Sequence, residues 1–266
     1  VQDSKQLQLD VKKLYSWCDE NWLPLNIKKC HIISFFNTKS HINFDYYMDN
    51  DLISRVSEIK DLGVIFDTAL SFKNHYSHIV NKAMSMWGLI WRNCKELSCL
   101  SLKTLYFALM RSHFDYCSQV WNPIYKVDIH YLEKIKKKFL RALEFKVGHT
   151  HVKGEYGWVM VTYDIQSLGS RKKISDACFI HGIINGLIDC PNLLSKLSFC
   201  VPAVNYRVTR SKTIFRIATT TTNVAQNDPL TRMMNSINKI SSHSQISIFY
   251  SKRLKFKIDV RNYFSL

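Results

Sequence analysis

A helical period in the apolar residues after Ser71 constrains the fold of this chain more than any other feature of its sequence. Apolar side chains recur there at spacings of three and four residues, at Tyr76, Ile79, Val80, Ala83, Trp87, Ile90 and Cys94. Similar patterns follow around Leu105 and around Ile135. This spacing aligns apolar residues along one face of an α-helix. Residues 72–146 are therefore predicted to form a three-helix bundle.

The residues before this bundle carry a mixed pattern. An amphipathic helix is predicted over residues 3–22, because apolar residues again recur every three or four positions and Pro24 prevents continuation. Three β-rich runs follow, at residues 31–36, 42–48 and 61–67. One helix followed by short strands predicts a small α+β unit with a mostly antiparallel, palm-type sheet.

The last part of the chain is predicted to be helical with one extended stretch. A helical pair is expected within 156–187, the period is lost over 201–227, and Asp228-Pro229 is a helix-start signal. The fold class is therefore predicted as α+β, predominantly α. Its expected parts are residues 1–70, 71–150 and 151–266.

The charge of the chain predicts a polyanionic partner. Lys and Arg number 37 against 21 Asp and Glu, a net charge of +16. Nucleic acid is the first expectation and an anionic membrane surface the second, while a surface that only aids solubility is the alternative. No apolar run approaches the roughly 18 residues that span a bilayer. The eight cysteines form no CxxC pair and are expected to be reduced core residues of an intracellular protein.

Several kinds of active site are excluded by missing motifs. Two-metal phosphoryl transfer needs clustered carboxylates, and the chain has no Asp-Asp pair. Its glycines also form no Walker loop, dinucleotide fingerprint or nucleophile elbow. No self-sufficient active site is predicted, and the first residues, VQDSKQ, suggest a processed chain or a fragment.

Two long strings and several shorter ones occur in a fixed order along nearly the whole chain. The long strings are LQLDVKKLYSWCDENWLPLNIKKC at residues 7–30 and KDLGVIFDTALSFKNH at residues 60–75. The shorter ones are LY at 105, RS at 111, YCS at 116, VWNP at 120 and RVTR at 207. In this order they resemble the C-terminal part of reverse transcriptases of non-LTR retrotransposons, jockey-like elements especially.

The resemblance implies the end of a polymerase palm, its primer grip, its thumb and a C-terminal extension. The catalytic Asp-Asp box of the family is then expected before Val1, with Mg²⁺ bound only there and no cofactor in this chain. Such a chain is expected to bind an RNA or DNA primer–template without polymerising on its own, and to meet the missing N-terminal polymerase half. The expected location is the nucleus or the cytoplasm, with no membrane partner and no secretion. A helical protein-interaction module and a decaying transposon product are the alternatives.

The resemblance also assigns roles to residues near the palm. Lys29 matches the lysine near the leaving pyrophosphate, as a general acid or a charge stabiliser. Lys28 beside it competes for this role, and a lysine at a strand entry is the structural alternative. Leu62, Gly63 and Val64 match the primer-grip turn, for which a plain strand bulge is the alternative.

Two helices carry the expected nucleic-acid contacts. The thumb-like helix after Phe72 offers Lys73, Asn74, His78 and Lys82, while His75 is expected to cap that helix. The third helix of the bundle offers Lys134, Lys137, Lys138 and Arg141 opposite its apolar face. Contacts of these residues with phosphate or sugar would be independent of base sequence. A solvated outer face is the alternative for the third helix.

Overall fold

Helices account for 61% of this computed structural model and strands for 8%. The structure describes residues 2–36, 43–94, 96–148, 156–200, 213–244 and 246–265. The predicted α+β class, predominantly α, is confirmed. The chain divides into two units, residues 1–77 and 78–266. The three-part division at residues 70 and 150 stays a prediction.

The first unit combines one helix with very short strands. Helix α1 (Gln2–Glu20) is followed by a 3₁₀ turn (Ile27–Lys29). The strands are β1 (His31–Ile32), β2 (Tyr47–Met48), β3 (Asp51–Leu52), β4 (Ser54–Arg55), β5 (Glu58–Asp61) and β6 (Val64–Asp67). They pair as β1 with β4 in parallel, and as β2 with β3 and β5 with β6 in antiparallel. Among the described residues, the expected antiparallel sheet is thus three separate pairs, one of them parallel, and four of the six strands have only two residues, too few to hold a third strand.

Asp67 connects the β5–β6 hairpin to helix α2 (Lys73–Asn93). Its Oδ1 accepts the Ala69 and Ser71 N–H groups at 3.0 and 2.9 Å, and its Oδ2 accepts the Phe72 N–H at 3.0 Å. Burial alone would raise the pKa of Asp67, but these bonds and one from the Ser71 hydroxyl hold it below its usual value. The carboxylate therefore fixes the start of α2.

The expected capping role of His75 is wrong. His75 is the third residue of α2 and is buried. Its Nδ1 accepts the N–H of Ile65 at 3.4 Å, so the imidazole joins the helix to β6 within the first unit. Asp67 instead orders the segment before the helix, because it accepts the N–H groups of Ala69, Ser71 and Phe72.

The described residues of the second unit are mainly helical, with one isolated antiparallel bridge between Phe199 and Phe215. Its elements after α2 are α3 (Cys99–Leu105), a π-helical turn (Tyr106–Arg111), α4 (Ser112–Asp115), α5 (Ser118–Trp121), α6 (Lys126–Val147), α7 (Gly157–Thr162), α8 (Leu168–Ile184), α9 (Pro191–Leu194), α10 (Asn223–Gln226), α11 (Pro229–His243) and α12 (Arg253–Ser265). The described residues include no helix long and apolar enough to cross a bilayer.

The three helices predicted within residues 72–146 are present and meet at one aromatic cluster. Phe139 of α6 stacks on Tyr106, with ring centroids 4.1 Å apart. The ring of Trp87 in α2 packs edge to face on the ring of Phe139, with centroids 6.2 Å apart. Tyr106 and Phe139 are almost fully buried. These large rings pack α2, the π-helical turn and α6 against one another. The second predicted helix is interrupted by that turn, and the short helix α5 lies before α6.

A second core lies between α8, α11 and α12. It contains buried Ala177 and Ile180 of α8, Ile237 of α11, and Phe256 and Val260 of α12. The extended stretch expected over 201–227 is present over 213–222, and α10 then interrupts it. The remaining part of that stretch, 201–212, lies outside the described residues, as does the RVTR string within it.

Candidate nucleic-acid interface

The predicted primer-grip turn is a two-residue hairpin loop between β5 and β6. Asp61 pairs with Val64, which leaves Leu62 and Gly63 at the tip. Their φ angles are 43° and 86°, and a type I′ turn requires positive φ at both loop positions. Glycine adopts this backbone at no steric cost, but leucine does not. Leu62 is also 82% exposed, so a residue with a strained backbone presents its apolar side chain to solvent.

Val64 differs from its two neighbours. Its side chain is only 3% exposed and belongs to the core of the first unit. It lies at the first position of β6, where the alternation of the strand turns it inward. The exposed tip of the predicted grip is therefore formed by Leu62 and Gly63.

The Leu62→Asn variant is expected to be more stable than the natural chain by about 1 kcal/mol, because asparagine tolerates the left-handed backbone of the turn. If the leucine grips a primer, the same variant binds primer–template about tenfold more weakly, the loss expected for one apolar contact of about 1.4 kcal/mol. Urea denaturation and fluorescence anisotropy measure the two effects separately.

Leu52→Asn is the matched control, since Leu52 is an exposed leucine of β3 away from the hairpin tip. Leu52→Asn is expected neither to raise the stability nor to weaken the binding of primer–template. A tip variant whose stability and affinity both stay unchanged contradicts the role of Leu62.

Lys29 is exposed at the end of the 3₁₀ turn, two residues before β1. Lys28 is equally exposed on the same turn. Neither lysine has a carboxylate at ion-pair distance among the described residues. Both ammonium groups are therefore available to a phosphate, and the geometry does not separate them.

The side chains of the described residues that could ligate a metal ion are not gathered into clusters. Within those ranges, no three His, Cys, Asp or Glu side chains lie close enough together to hold a metal ion. Asp67 uses both of its oxygens for the bonds that start α2. No step through a metal ion is derived from this chain.

The predicted contact residues of α2 have different surroundings. Lys73 and Lys82 are exposed, whereas the amide of Asn74 donates a hydrogen bond to Glu58 and is held within the first unit. In the second unit, burial lowers the pKa of His113, and the charges of Lys82 and His78 lower it further. His113 therefore lies close to Lys82 and His78 on that unit, and its neutral form is favoured.

The predicted residues of α6 share one exposed face. We call Lys134, Lys137, Lys138 and Arg141 the α6 basic face, and all four are exposed. Their spacing of three, four and seven residues aligns them along the helix. Lys138 Nζ lies 3.7 Å from Met84 Sδ, and Arg141 Nε donates to the Tyr156 hydroxyl at 3.4 Å. Both contacts leave the cations at the surface.

Lys136, in the middle of the same basic run, is buried instead. Its Nζ lies 2.6 Å from Glu133 Oε2. Glu133 Oε1 accepts the N–H of Leu168 at 3.1 Å and so also fixes the start of α8. One lysine of the run is therefore structural, while its neighbours face solvent.

Sequence reasoning missed a group of charged residues inside the second unit. Asp176 of α8 is 2% exposed and pairs with Arg232 of α11, and Lys172 lies buried with its Nζ 4.4 Å from the ring centre of Trp121. Arg171 is buried and pairs with Asp115. The signal for Arg171 was present, since it lies three residues before Ile174 on the apolar face of α8.

Comparisons with protein-family models, with curated proteins and with solved structures gave no match. The functional assignment therefore depends on the residues themselves. These are the strained and exposed hairpin tip, the α6 basic face, and a net charge of +16.

Proposed function

We propose that this chain is the end of the palm, the primer grip and the thumb of an RNA-directed DNA polymerase of the non-LTR retrotransposon class, and that it holds a primer–template duplex. The observation that carries the proposal is the tip at Leu62 and Gly63. The string that resembles the primer grip falls on a two-residue loop with positive φ at both positions and an exposed leucine. Strained backbone of this kind is typical of ligand clamps.

The charge distribution of the second unit supports the same function. The α6 basic face presents four cations in one row, and Lys82 is exposed on α2. Rows of lysine and arginine bind the phosphate backbone without reading bases, as a polymerase thumb requires. In this proposal the chain contributes binding, and the catalytic carboxylates belong to the upstream half of the polymerase.

Titration of a labelled RNA–DNA primer–template at increasing salt tests the proposal. If about six phosphates are neutralised, the slope of log K against log salt is expected near −5. Changing all four residues of the α6 basic face to glutamine is expected to flatten the slope by about 3 to 4, because each lost phosphate contact removes about 0.9. Fluorescence anisotropy at each salt concentration gives both slopes.

A control variant with the same change of charge separates specific contacts from general attraction. Lys5, Lys12, Lys13 and Lys196 are all exposed and lie outside the α6 basic face. Their replacement by glutamine is expected to flatten the slope by less than about 1. A slope near zero for the natural chain overturns the proposal.

A second candidate function is a protein-interaction module, which one observation favours. Leu7, Leu14 and Trp17 of α1 are each about half exposed and share one face of that helix. In the polymerase proposal this face packs against the rest of the palm. A chain that ignores primer–template but self-associates in sedimentation, and loses that association in Trp17→Glu, supports the second candidate.

A further inference from the structure

A groove lies in the second unit between α8, α12 and the segment 111–119. One hollow, with a volume of about 430 Å³, is lined by Arg171, Arg253 and Lys257. An adjoining hollow shares Arg111, Asp115, Gln166 and Arg261 with it, so the two are continuous. We call both together the α8–α12 groove. None of the nucleic-acid contacts predicted from the sequence lines it.

The α8–α12 groove is cationic. Its basic lining residues are Arg111, Arg171, Arg253, Lys257 and Arg261, and its acidic ones are Asp115 and Asp164. Positive charges therefore exceed negative ones by three. Asp115 serves two arginines, at 3.1 Å from Arg111 Nε and in contact with Arg171. Asp164 pairs with Arg261.

Two of the cations in the groove are not neutralised by an ion pair among the described residues. Arg253 and Lys257 are exposed, and neither has a carboxylate at ion-pair distance in the part of the chain that the structure describes. A groove that concentrates unneutralised positive charge attracts a polyanion.

Arg171 adds a donor deep in the groove. The residue is 6% exposed, and its Nε has no hydrogen-bond partner among the described residues. A buried guanidinium donor without an acceptor is costly, and a phosphate oxygen would supply that acceptor. Burial, together with the charge of Arg111, lowers the pKa of Arg171 to about 9. A bound anion would accept the hydrogen bond of Nε and would stabilise the charged form of Arg171.

The cations of α12 form a row along the groove. Arg253, Lys257 and Arg261 recur every four residues and line the same hollow, while Phe256 and Val260 are buried in the core with α8. A four-residue step advances about 6 Å along a helix. This spacing is comparable with that of successive phosphates on an extended single strand.

Aromatic side chains accompany this charge. Phe179 lines the hollow that contains Arg171, while Phe107 and Tyr116 line the adjoining one. Arg111 already covers the ring of Phe107, at 4.4 Å from its centre, whereas Tyr116 is 54% exposed. A positively charged groove with aromatic faces is the arrangement that binds single-stranded nucleic acid.

We infer that the α8–α12 groove binds the phosphate backbone of a single-stranded nucleic-acid segment through Arg171, Arg253 and Lys257. The inference rests on the proposed function, because it adds a single-strand site to a chain proposed to hold a primer–template. It supplies a path for the unpaired template, separate from the residues proposed to contact the duplex.

The test compares two double variants of the full chain. Arg253→Gln with Lys257→Gln removes two charges from the groove. Lys252→Gln with Lys255→Gln removes two exposed charges, one directly before α12 and one on it, that do not line the groove. The probes are a labelled oligodeoxythymidylate of about 20 nucleotides and a blunt RNA–DNA duplex without overhang. Thermal unfolding by circular dichroism checks that both variants fold.

The groove variant is expected to bind the single strand about tenfold more weakly than the control variant, with a salt slope flatter by about 1.4. Both variants are expected to bind the blunt duplex with similar affinity. Equal single-strand affinity of the two variants overturns the groove inference and leaves the proposed function standing. A natural chain that binds neither probe overturns both.

Discussion

The Arg232→Met variant is expected to lose about 3 to 5 kcal/mol of unfolding free energy, because it leaves a buried carboxylate without its cation. Arg232 Nε lies 2.8 Å from Asp176 Oδ2, and Nη2 lies 3.2 Å from Oδ1. The same Nη2 donates to the backbone oxygen of Gln119 at 2.7 Å. The guanidinium of Arg232 therefore joins α11, α8 and α5. Urea denaturation followed by circular dichroism measures the loss.

Two further variants control this experiment. Arg261 also pairs with an aspartate, Asp164, but both side chains are largely exposed. Arg261→Met is therefore expected to cost less than about 1 kcal/mol. Replacing Arg232 and Asp176 together by Met and Leu is expected to recover most of the lost stability, since no buried carboxylate is then left without its arginine. Equal losses in the two single arginine variants would contradict this account.

The Lys172→Met variant is expected to be more stable than the natural chain at pH 7, by an amount on the order of 3 kcal/mol. Burial and, to a smaller extent, the charge of Arg232 lower the pKa of Lys172 to about 7. Its Nζ has no hydrogen-bond partner among the described residues and lies over Trp121. Methionine keeps the length of the side chain without the charge.

The sign of the pH dependence follows from proton binding. Between the pKa of about 7 in the folded chain and the usual value of 10.5, the unfolded chain binds a proton at Lys172 that the folded chain does not. The stability of the natural chain therefore gains a contribution that rises with pH across this window. The advantage of Lys172→Met is expected to shrink over the same range.

Lys173→Met is the matched control for this prediction, because Lys173 is the exposed neighbour on α8. Its effect on stability is expected to be small, because the side chain is already in solvent. Denaturation midpoints collected from pH 7 to pH 10 compare the three chains. A constant difference between the natural chain and Lys172→Met would contradict the shifted pKa.

The sequence alone determined the long helices. Its pattern predicted one strand over residues 61–67, which the structure divides at the turn of Leu62 and Gly63. The apolar period of α2 and α6 depends only on neighbours three and four residues apart, so it is visible before any tertiary contact forms. Gly63 likewise marks a turn by its own backbone freedom. The α6 basic face was predictable for the same reason, since its residues lie opposite that period.

Tertiary structure alone decided the strand pairs and the buried charges. Strands of two residues carry too little pattern to choose a partner, so β1 finds β4 in parallel across more than twenty residues of chain. Arg232 and Asp176 meet from positions 56 residues apart. The α8–α12 groove likewise joins Arg111 to Arg261. A period describes one helix at a time, whereas a buried ion pair or a groove exists only after distant helices have packed.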